Sequence, residues 1–375
     1  MYRFLRPLLF RMSAERAHTA GLWAAEVAQR TIRPLIRSRY GFEDERLKQR
    51  LWGKTFPNPV GLAAGADKNA RAVPFWEAVG FGLFWEAVGF GFVEVGSVTA
   101  QPASGNPRPR AFRLPEDRAL VNRLGLNNDG AETVGERLKQ SRADRTRPLG
   151  VNIAKTPDPD VLGAAALDNY RTSFRQLRSE ADYVTLNVSC PNTHDGRTFE
   201  DPEALDELLA AIESEQKVPG LAVPILVKLS PPLSGRVLFD TRLEEVLAVV
   251  KAHDVDGFVA ANTAPDRQGL RTSPERLSEI GEGGLSGPPL EARSTQLVRY
   301  LYQATDGDIP IVGVGGVHDA DSAYAKIRAG ASLVQLYTAL VYEGPALVRT
   351  IKKGLAGRLS EDGYASITGA VGADV

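Results

Sequence analysis

The stretch IPIVGVGG, residues 309–316, is a short apolar run rich in β-branched residues that ends in two glycines. Similar runs recur from residue 58 onward, with helical patterns between them. They are NPVGLAAG (58–65), FVEVGSVT (92–99), PLGVNIA (148–154), YVTLNVS (183–189), PILVKLS (224–230), GFVAANT (257–263) and LVQLYTA (333–339). Near-continuous apolar runs are typical of parallel strands covered on both faces. Eight β/α units without a break predict a (β/α)8 barrel, with a doubly wound open sheet as the alternative.

Polar residues or glycines follow almost every one of these runs. In chain order they are Gly65 to Lys68, Ser97 and Thr99, Asn152, Asn187 to Asn192, Lys228, Asn262 and Thr263, Gly315 and Gly316, and Tyr337 and Thr338. In a barrel the carboxyl ends of the strands share one face, which carries the catalytic groups. Turn chemistry explains any single glycine or asparagine, but it explains two lysines and four asparagines less easily.

The last two units indicate the chemistry of a ligand. GVGGV (313–317) and the turn after LVQLYT each precede a helix, where backbone amides can hold a phosphate. Lys228 in the barrel needs an anionic partner, either an ordinary salt bridge or the electron-rich edge of a reduced flavin. Asparagine side chains suit the alternating N–H and C=O edge of a pyrimidine dione. Asn127, Asn128 and Asn169 are instead assigned to turns.

The composition indicates a soluble globular protein. The 375 residues are 43% hydrophobic and 24% charged with a net charge of −1, so nucleic acid is not an expected partner. The single cysteine excludes an internal disulfide and a multi-cysteine zinc site, and we expect no metal. The sequence contains no apolar run of the ~18–20 residues that a membrane span requires.

The first 42 residues differ in charge from the rest, with eight arginines against two glutamates. MYRFLRPLLFRM (1–12) has apolar residues at helical spacing, and SAERAHTAGLWAAEVAQRT (13–31) predicts a second amphipathic helix with Ser13 as its N-cap. Two interpretations carry equal weight at this stage. The helices lie on an anionic membrane surface, or they merely pack on the main domain.

Several motifs resemble those of the dihydroorotate dehydrogenases, flavin enzymes of pyrimidine synthesis. They are GLAAGADKNA (61–70), GNPRPRAFRLPEDRALVNRLGLNNDG (105–130), NVSCPNT (187–193), GGLSGPPL (283–290), IVGVGGV (311–317) and GASLVQLYTAL (330–340). ERAH (15–18) resembles the membrane-associated class, whose helical leader forms a tunnel for quinone. The resemblance implies a leader over residues 1–42 and an FMN-binding barrel over 43–375. It also implies a monomer bound peripherally to the cytoplasmic side of the cell membrane.

The implied reaction has two steps. Dihydroorotate loses a proton from C5 to a base and a hydride from C6 to FMN, and quinone then reoxidises the flavin. The implied FMN contacts are Ala64, Gly65, Ala66, Asp67, Lys68, Ser97, Asn152, Asn187, Lys228, Ala261, Gly287, Gly316, Tyr337 and Thr338. The implied orotate site is Lys68, Asn122, Arg123, Leu124, Gly125, Leu126, Asn187, Asn192, Asn262 and Thr263. His18 and Arg113 match the quinone path, whereas His194, His253 and His318 are assigned to the solvated surface.

The sequence departs from the quinone-class pattern at four positions. Ser97 stands where threonine is usual, Leu126 where phenylalanine is usual, and Ala261 where a hydroxyl residue normally touches FMN. Cys190 stands where the quinone class has serine and the soluble class has cysteine, and we predict that it is the catalytic base. As an alternative, Cys190 is a small buried hydrophobe.

Two alternative functions follow. One is a soluble dihydroorotate dehydrogenase that uses fumarate or NAD, and the other is a flavin-binding barrel without turnover. The leader argues against the first, and the set Lys68, Asn187, Cys190 and Lys228 argues against the second.

The sequence also contains a tandem duplication. The eight residues FWEAVGFG occur at 75–82 and again at 84–91. Because the family pattern has room for one copy, we expect the surplus to loop out on the bottom face of the barrel, away from the chemistry.

Overall fold

The computed structural model describes residues 2–31, 42–77, 89–189, 199–218, 220, 222–233 and 241–375. Its strands are β1 (Gln49–Leu51), β2 (Lys54–Phe56), β3 (Val60–Leu62), β4 (Phe92–Val98), β5 (Ala111–Leu114), β6 (Ala119–Asn122), β7 (Leu149–Ile153), β8 (Tyr183–Asn187), β9 (Ile225–Leu229), β10 (Gly257–Ala260), β11 (Gly284–Ser286), β12 (Ile311–Val314) and β13 (Leu333–Leu336).

The helices are α1 (Tyr2–Arg11), α2 (Ala14–Thr31), α3 (Val73–Glu77), α4 (Ala131–Ser141), α5 (Gly163–Leu177), α6 (Pro202–Gln216), α7 (Thr241–Ala252), α8 (Pro274–Ile280), α9 (Glu291–Ala304), α10 (Ala320–Arg328), α11 (Thr338–Glu343), α12 (Ala346–Glu361) and α13 (Ile367–Ala370). Short 3-10 turns cover Glu45–Leu47, Pro115–Asp117, Arg142–Asp144, Arg178–Glu180 and Pro288–Leu290.

Eight parallel strands close into a barrel, and they are the eight that the sequence predicts. The order around the barrel is β3, β4, β7, β8, β9, β10, β12 and β13, with β13 pairing back onto β3. All five residues of β7, β8 and β9 are buried, which is why each run is apolar almost throughout. The barrel prediction is confirmed, and the open-sheet alternative is wrong.

The amino-terminal end of the barrel is sealed by aromatic side chains. The hairpin of β1 and β2 places Trp52 against Tyr183, with ring centroids 5.4 Å apart, and Phe56 against Phe92 at the same separation. Phe56, Phe92 and Tyr183 are fully buried. Burying each of these rings stabilises the fold by about 2 kcal/mol. Their packing closes this end, which is the floor of the barrel.

The opposite end carries a small sheet that the sequence analysis did not predict. Strands β5, β6 and β11 pair antiparallel, and the register sets Gly284 opposite Asn122. This cap sheet has its own apolar core, which includes Leu114, Val121 and Leu285. It therefore holds residues 122–126 over the carboxyl ends of the barrel strands.

The two leader helices pack on the barrel. Ser13 caps α2, since its hydroxyl accepts from the Arg16 amide at 3.3 Å, as predicted. The Tyr2 hydroxyl donates to the Val341 carbonyl at 2.6 Å, and the Phe10 ring lies 5.5 Å from that of Tyr342. The leader therefore packs on the barrel, and its placement on a membrane stays a prediction.

Most of the duplication, residues 78–88, lies outside the described residues. The ends of the segment are placed. Helix α3 contains the first three residues of the first copy, 75–77. The Phe90 amide donates to the Trp76 carbonyl at 3.4 Å. Lys352 donates to the Gly89 carbonyl at 3.0 Å, and Gly91 to that of Val60 at the start of β3. The two described ends of the segment therefore lie side by side at the barrel wall.

Candidate active site

A cavity of about 1050 Å³ opens at the carboxyl ends of the barrel strands, between the cap sheet and the leader helices. Most of the predicted site residues line it. They are His18, Ala64, Gly65, Ala66, Asp67, Lys68, Ser97, Arg113, Asn122, Arg123, Leu124, Gly125, Leu126, Asn187, Lys228, Ala261, Asn262, Thr263, Gly287, Gly316, Tyr337 and Thr338. One connected space thus joins the strand ends to the leader.

Three predicted residues are not among those that line the cavity. Cys190 and Asn192 lie outside the described residues. Asn152 is fully buried in the barrel interior and does not line the cavity. Its side chain accepts from the Ser97 hydroxyl and donates to Glu94, so it lies directly behind a residue of the cavity wall.

Glycines form a narrow cradle on one side of the cavity. Gly316 has φ +80°, and a Cβ there would lie 2.3 Å from the Cα of Glu291, so only glycine fits. Within the described part of the chain, the amides of Gly316 and Val317 donate to no protein acceptor. Two free amides beside a turn that excludes side chains are suited to a phosphate group.

Lys68 and Lys228 bring positive charge to the cavity from two sides. The Lys68 ammonium donates to Asn127 Oδ1 at 2.8 Å. Lys228 is largely buried on β9, and its neighbour across the β8–β9 ladder is Asn187. The cavity therefore combines two cations with amide side chains, a set suited to a planar, electron-rich ring and a carboxylate.

The amide side chains form a hydrogen-bonded row on the cavity wall. Asn187 Nδ2 donates to Ser97 Oγ at 2.9 Å, and Asn262 Nδ2 donates to Asn187 Oδ1 at 3.2 Å. Ser189 joins the row by donating to Asn187 Oδ1 and accepting from Asn262. Donors and acceptors therefore alternate along this wall.

The family model of dihydroorotate dehydrogenase matches residues 46–359. The chain belongs to the dihydroorotate dehydrogenase family. A relative from Haloarcula marismortui, named dihydroorotate dehydrogenase (quinone), is 44% identical over 375 residues, covering 100% of this chain and 99% of the relative. A relative of the same name from Thermobifida fusca is 44% identical over 385 residues, covering 100% and 97%.

A solved structure shows the same architecture for a family member. The dihydroorotate dehydrogenase of Eimeria tenella, in complex with ferulenol, superposes with a TM-score of 0.84 at 33% identity. The superposition covers 99% of this chain and 98% of that one. The resemblance stated from the motifs is confirmed over the whole length, leader included.

His18 of the leader lines the cavity, and its role on the quinone path stays a prediction. Its Nδ1 lies 3.2 Å from the Tyr337 hydroxyl. Burial and the nearby Lys68 ammonium lower the pKa of His18 to about 4, so the imidazole is neutral near pH 7. Burial raises the pKa of Tyr337 to about 12, so this contact joins two neutral groups.

Arg113 holds the other leader helix. Its guanidinium lies over the Phe10 ring, 4.6 Å from the centroid, and donates to the Leu9 carbonyl at 3.2 Å. Glu15 adds a charge-assisted bond of 2.8 Å to Arg110. Arg113 lies in β5 of the cap sheet and Arg110 directly precedes that strand. The cap sheet therefore fixes the leader over the cavity.

Asp67 is placed in the cavity wall, but its carboxylate faces the protein. It accepts from the amides of Arg71 and Ala72 at 2.9 and 2.7 Å and from the Trp76 indole at 3.2 Å. Burial raises its pKa despite these donors. The side chain therefore shapes the loop that carries Lys68.

Two of the asparagine assignments are wrong. Asn127 is a partner of Lys68 in the cavity, and Asn169 lies on α5, where it donates to Gln101 Oε1 at 2.7 Å. Asn128 does have the predicted turn role, since its Oδ1 accepts from the amides of Thr99 and Gly130. The adjacent pair of asparagines was the only sequence signal, and it does not say which one faces the ligand.

The histidine assignments also change. His253 lies between two carboxylates, 2.7 Å from Glu213 and 2.9 Å from Asp206, rather than free in solvent. His318 Nδ1 lies 2.7 Å from the Gly316 carbonyl, directly behind the glycine cradle. His194 lies outside the described residues.

The leader leaves several large apolar side chains in solvent. Phe4 is 88% exposed, Trp23 62% and Leu8 61%. Among the described residues, no helix has the length and apolar character needed to cross a bilayer.

Proposed function

We propose that this chain oxidises dihydroorotate to orotate on a bound FMN and passes the electrons to a membrane quinone. The observation that carries the proposal is the single cavity shared by the glycine cradle, the lysines, the asparagine row and the leader residue His18. A donor site and an acceptor site that share one cavity can both reach one flavin.

The residues present fit FMN. Gly316 and Val317 offer amides to its phosphate, with Gly287 and Thr338 across the cradle. Lys228 and Ser97 face the ring region, where the lysine stabilises negative charge on the pyrimidine edge. When bound, FMN supplies the hydride acceptor.

The substrate is held beside this ring region, in the same cavity. Lys68 offers its ammonium to the dihydroorotate carboxylate, with Asn127 fixing the lysine. Asn122, Asn187 and Asn262 supply donors and acceptors to the ring amide edge, with residues 123–126 and Thr263 closing the site. Cys190 follows the end of β8 by three residues and is proposed as the base for the C5 proton, with Asn192 beside the substrate.

The domain division and location are proposals as well. Residues 1–42 form the quinone leader and 43–375 the catalytic barrel. The exposed Phe4, Leu8 and Trp23 among arginines support peripheral binding to an anionic membrane. The cytoplasmic side and the monomeric state are part of the proposal and follow from the family resemblance.

Anaerobic half-reactions test the proposal. Adding dihydroorotate to the FMN-loaded protein should bleach the flavin absorbance, and a quinone should restore it faster than fumarate or NAD does. Faster recovery with fumarate or NAD would assign the soluble class. A flavin that dihydroorotate never bleaches would leave a binding barrel without turnover.

A further inference from the structure

A buried carboxylate lies in the barrel interior, behind the cavity wall. Glu94 on β4 is fully buried and does not line the cavity. Its Oε1 accepts from Asn152 Nδ2 at 3.1 Å. Its Oε2 accepts from Gln335 Nε2 at 2.8 Å and from the Tyr183 hydroxyl at 3.2 Å. Three donors from three other strands therefore converge on one side chain.

This carboxylate begins a chain of hydrogen bonds that ends at the cavity. Asn152 Oδ1 accepts from the Ser97 hydroxyl, and Ser97 Oγ accepts from Asn187 Nδ2. Asn187 Oδ1 then accepts from Asn262 Nδ2. Of these residues, Ser97, Asn187 and Asn262 line the cavity.

The direction of every bond in the chain follows from its first member. A carboxylate only accepts, so Asn152 must turn its NH2 group toward Glu94 and its carbonyl toward Ser97. The Ser97 hydrogen is then committed to Asn152, so its oxygen accepts from the Asn187 NH2 group. The Asn187 carbonyl is left facing Asn262.

We infer that Glu94 is a positioning residue, which sets the order of donors and acceptors that Ser97, Asn187 and Asn262 present to the ligand. A ring with alternating N–H and C=O groups binds only one of the two possible orders, since the reverse order sets donor against donor. The inference rests on the proposed function for the identity of that ring. It does not depend on Cys190 or on the leader.

Exchanging the carboxylate and the amide between positions 94 and 152 tests the direction of these hydrogen bonds. Glu94→Gln lets the NH2 group of the new side chain face Asn152, so the amide of Asn152 can reverse. Adding Asn152→Asp returns an acceptor to Ser97 and restores the wild-type net charge. Tyr183→Phe is the matched control, because it removes one donor to Glu94 and leaves the bond to Asn152 in place.

The readouts are orotate affinity, from the perturbation of the flavin spectrum, and Tm, both on the FMN-loaded protein. We expect Glu94→Gln to weaken orotate binding about tenfold, with Tyr183→Phe near wild type and Glu94→Gln/Asn152→Asp within about threefold of it. Wild-type affinity in Glu94→Gln would overturn the inference. So would a folded double variant that binds no better than the single one.

Two outcomes require a further variant or a further measurement. If Glu94→Gln does not fold, Ser97→Ala breaks the same row from the cavity side, and unchanged orotate affinity in that variant overturns the inference. If the wild-type protein itself binds no orotate, the proposed function fails instead. The inference is then decided by FMN affinity and visible circular dichroism, and identical values in Glu94→Gln and wild type refute it.

Discussion

His18 Nδ1 of the leader lies 3.2 Å from the Tyr337 hydroxyl, at the carboxyl end of the last barrel strand. The contact links residues that are 319 positions apart in the chain. Because both groups are neutral near pH 7, the leader is docked here by a hydrogen bond rather than by an ion pair.

The lowered pKa of His18 predicts a loss of leader docking in acid. The folded-state pKa of about 4 lies below the reference value of about 6.5, so the unfolded leader binds a proton first as the pH falls. The contribution of His18 to stability is present above pH ~6.5 and is lost progressively toward pH 4. Proteolysis of the leader as a function of pH measures this. His18→Gln should flatten the dependence between these values, and an unchanged profile would contradict the assignment.

The exposed leader side chains predict an affinity for membranes that is independent of flavin reduction. Phe4→Ser with Trp23→Ser should reduce binding to anionic vesicles at least tenfold, because both side chains are mostly in solvent in the free protein. Flavin reduction by dihydroorotate should be unchanged. Leu162→Ser is the control, since that leucine is 44% exposed on the barrel itself. Equal vesicle binding by all three proteins would leave the leader as packing only.

Removal of residues 1–42 should separate the two half-reactions. The strand ends that carry Lys68, Asn187 and Lys228 belong to the barrel, so bleaching by dihydroorotate should remain once FMN is saturating. Reoxidation by a long-chain quinone should collapse, since His18 and the leader wall of the cavity are gone. Stopped-flow traces of both steps measure this. Equal loss of both would show that the leader is only a structural support.

The duplication predicts a harmless deletion. Because the repeat has a period of nine, excising 75–83 or 78–86 gives the same chain, AVPFWEAVGFGFVEVG. The second description removes only residues outside the described ranges and keeps Phe75 and Trp76, which line the cavity. FMN content and turnover should therefore survive. A folded deletion variant without FMN would place the surplus near the active face.

Lys228 predicts an effect on rate more than on affinity. Its ammonium stabilises charge that develops on the flavin during reduction, so Lys228→Met should slow bleaching at least tenfold. Orotate affinity should change less. Lys352→Met is the control for loss of a buried lysine, because Lys352 bonds to the Gly89 carbonyl away from the cavity. A normal bleaching rate in Lys228→Met at saturating FMN would contradict the assignment.

The role of Cys190 as the catalytic base remains a prediction from the sequence. A thiol has a reference pKa of about 8.5, far below that of a serine hydroxyl, so Cys190→Ser should shift the pH–rate rise to higher pH. Cys190→Ala should abolish flavin reduction while orotate still binds. Bleaching rates across pH check both, and undiminished reduction in Cys190→Ala would remove the cysteine from the mechanism.

The barrel could be predicted because its signal is local. Each strand is buried on both faces, so runs such as 149–153 are apolar along their whole length. The cap sheet could not be predicted, because β6 pairs with β11 about 160 residues away in the sequence. Both strands are also too short to produce a recognisable strand pattern. Pairing of that kind depends on the closed barrel bringing the two loops together.

The same limit applies to the site. The strand-end positions identified the residues that reach the cavity, including Lys68, Asn187 and Lys228. Position on a strand does not tell where a side chain points, so Asn152 was not separated from Asn187. The Lys68–Asn127 pair spans 59 residues and was missed for that reason.

The bond between the Phe90 amide and the Trp76 carbonyl has a consequence for engineering. In the excised chain these residues stand five positions apart, which is the spacing of a Schellman helix end, and Gly89 already has φ +64°. The bond therefore joins the two described ends of the segment at the spacing of a helix terminus. This point should accept foreign peptide of other lengths, such as an affinity tag or a fluorescent reporter, without loss of the barrel.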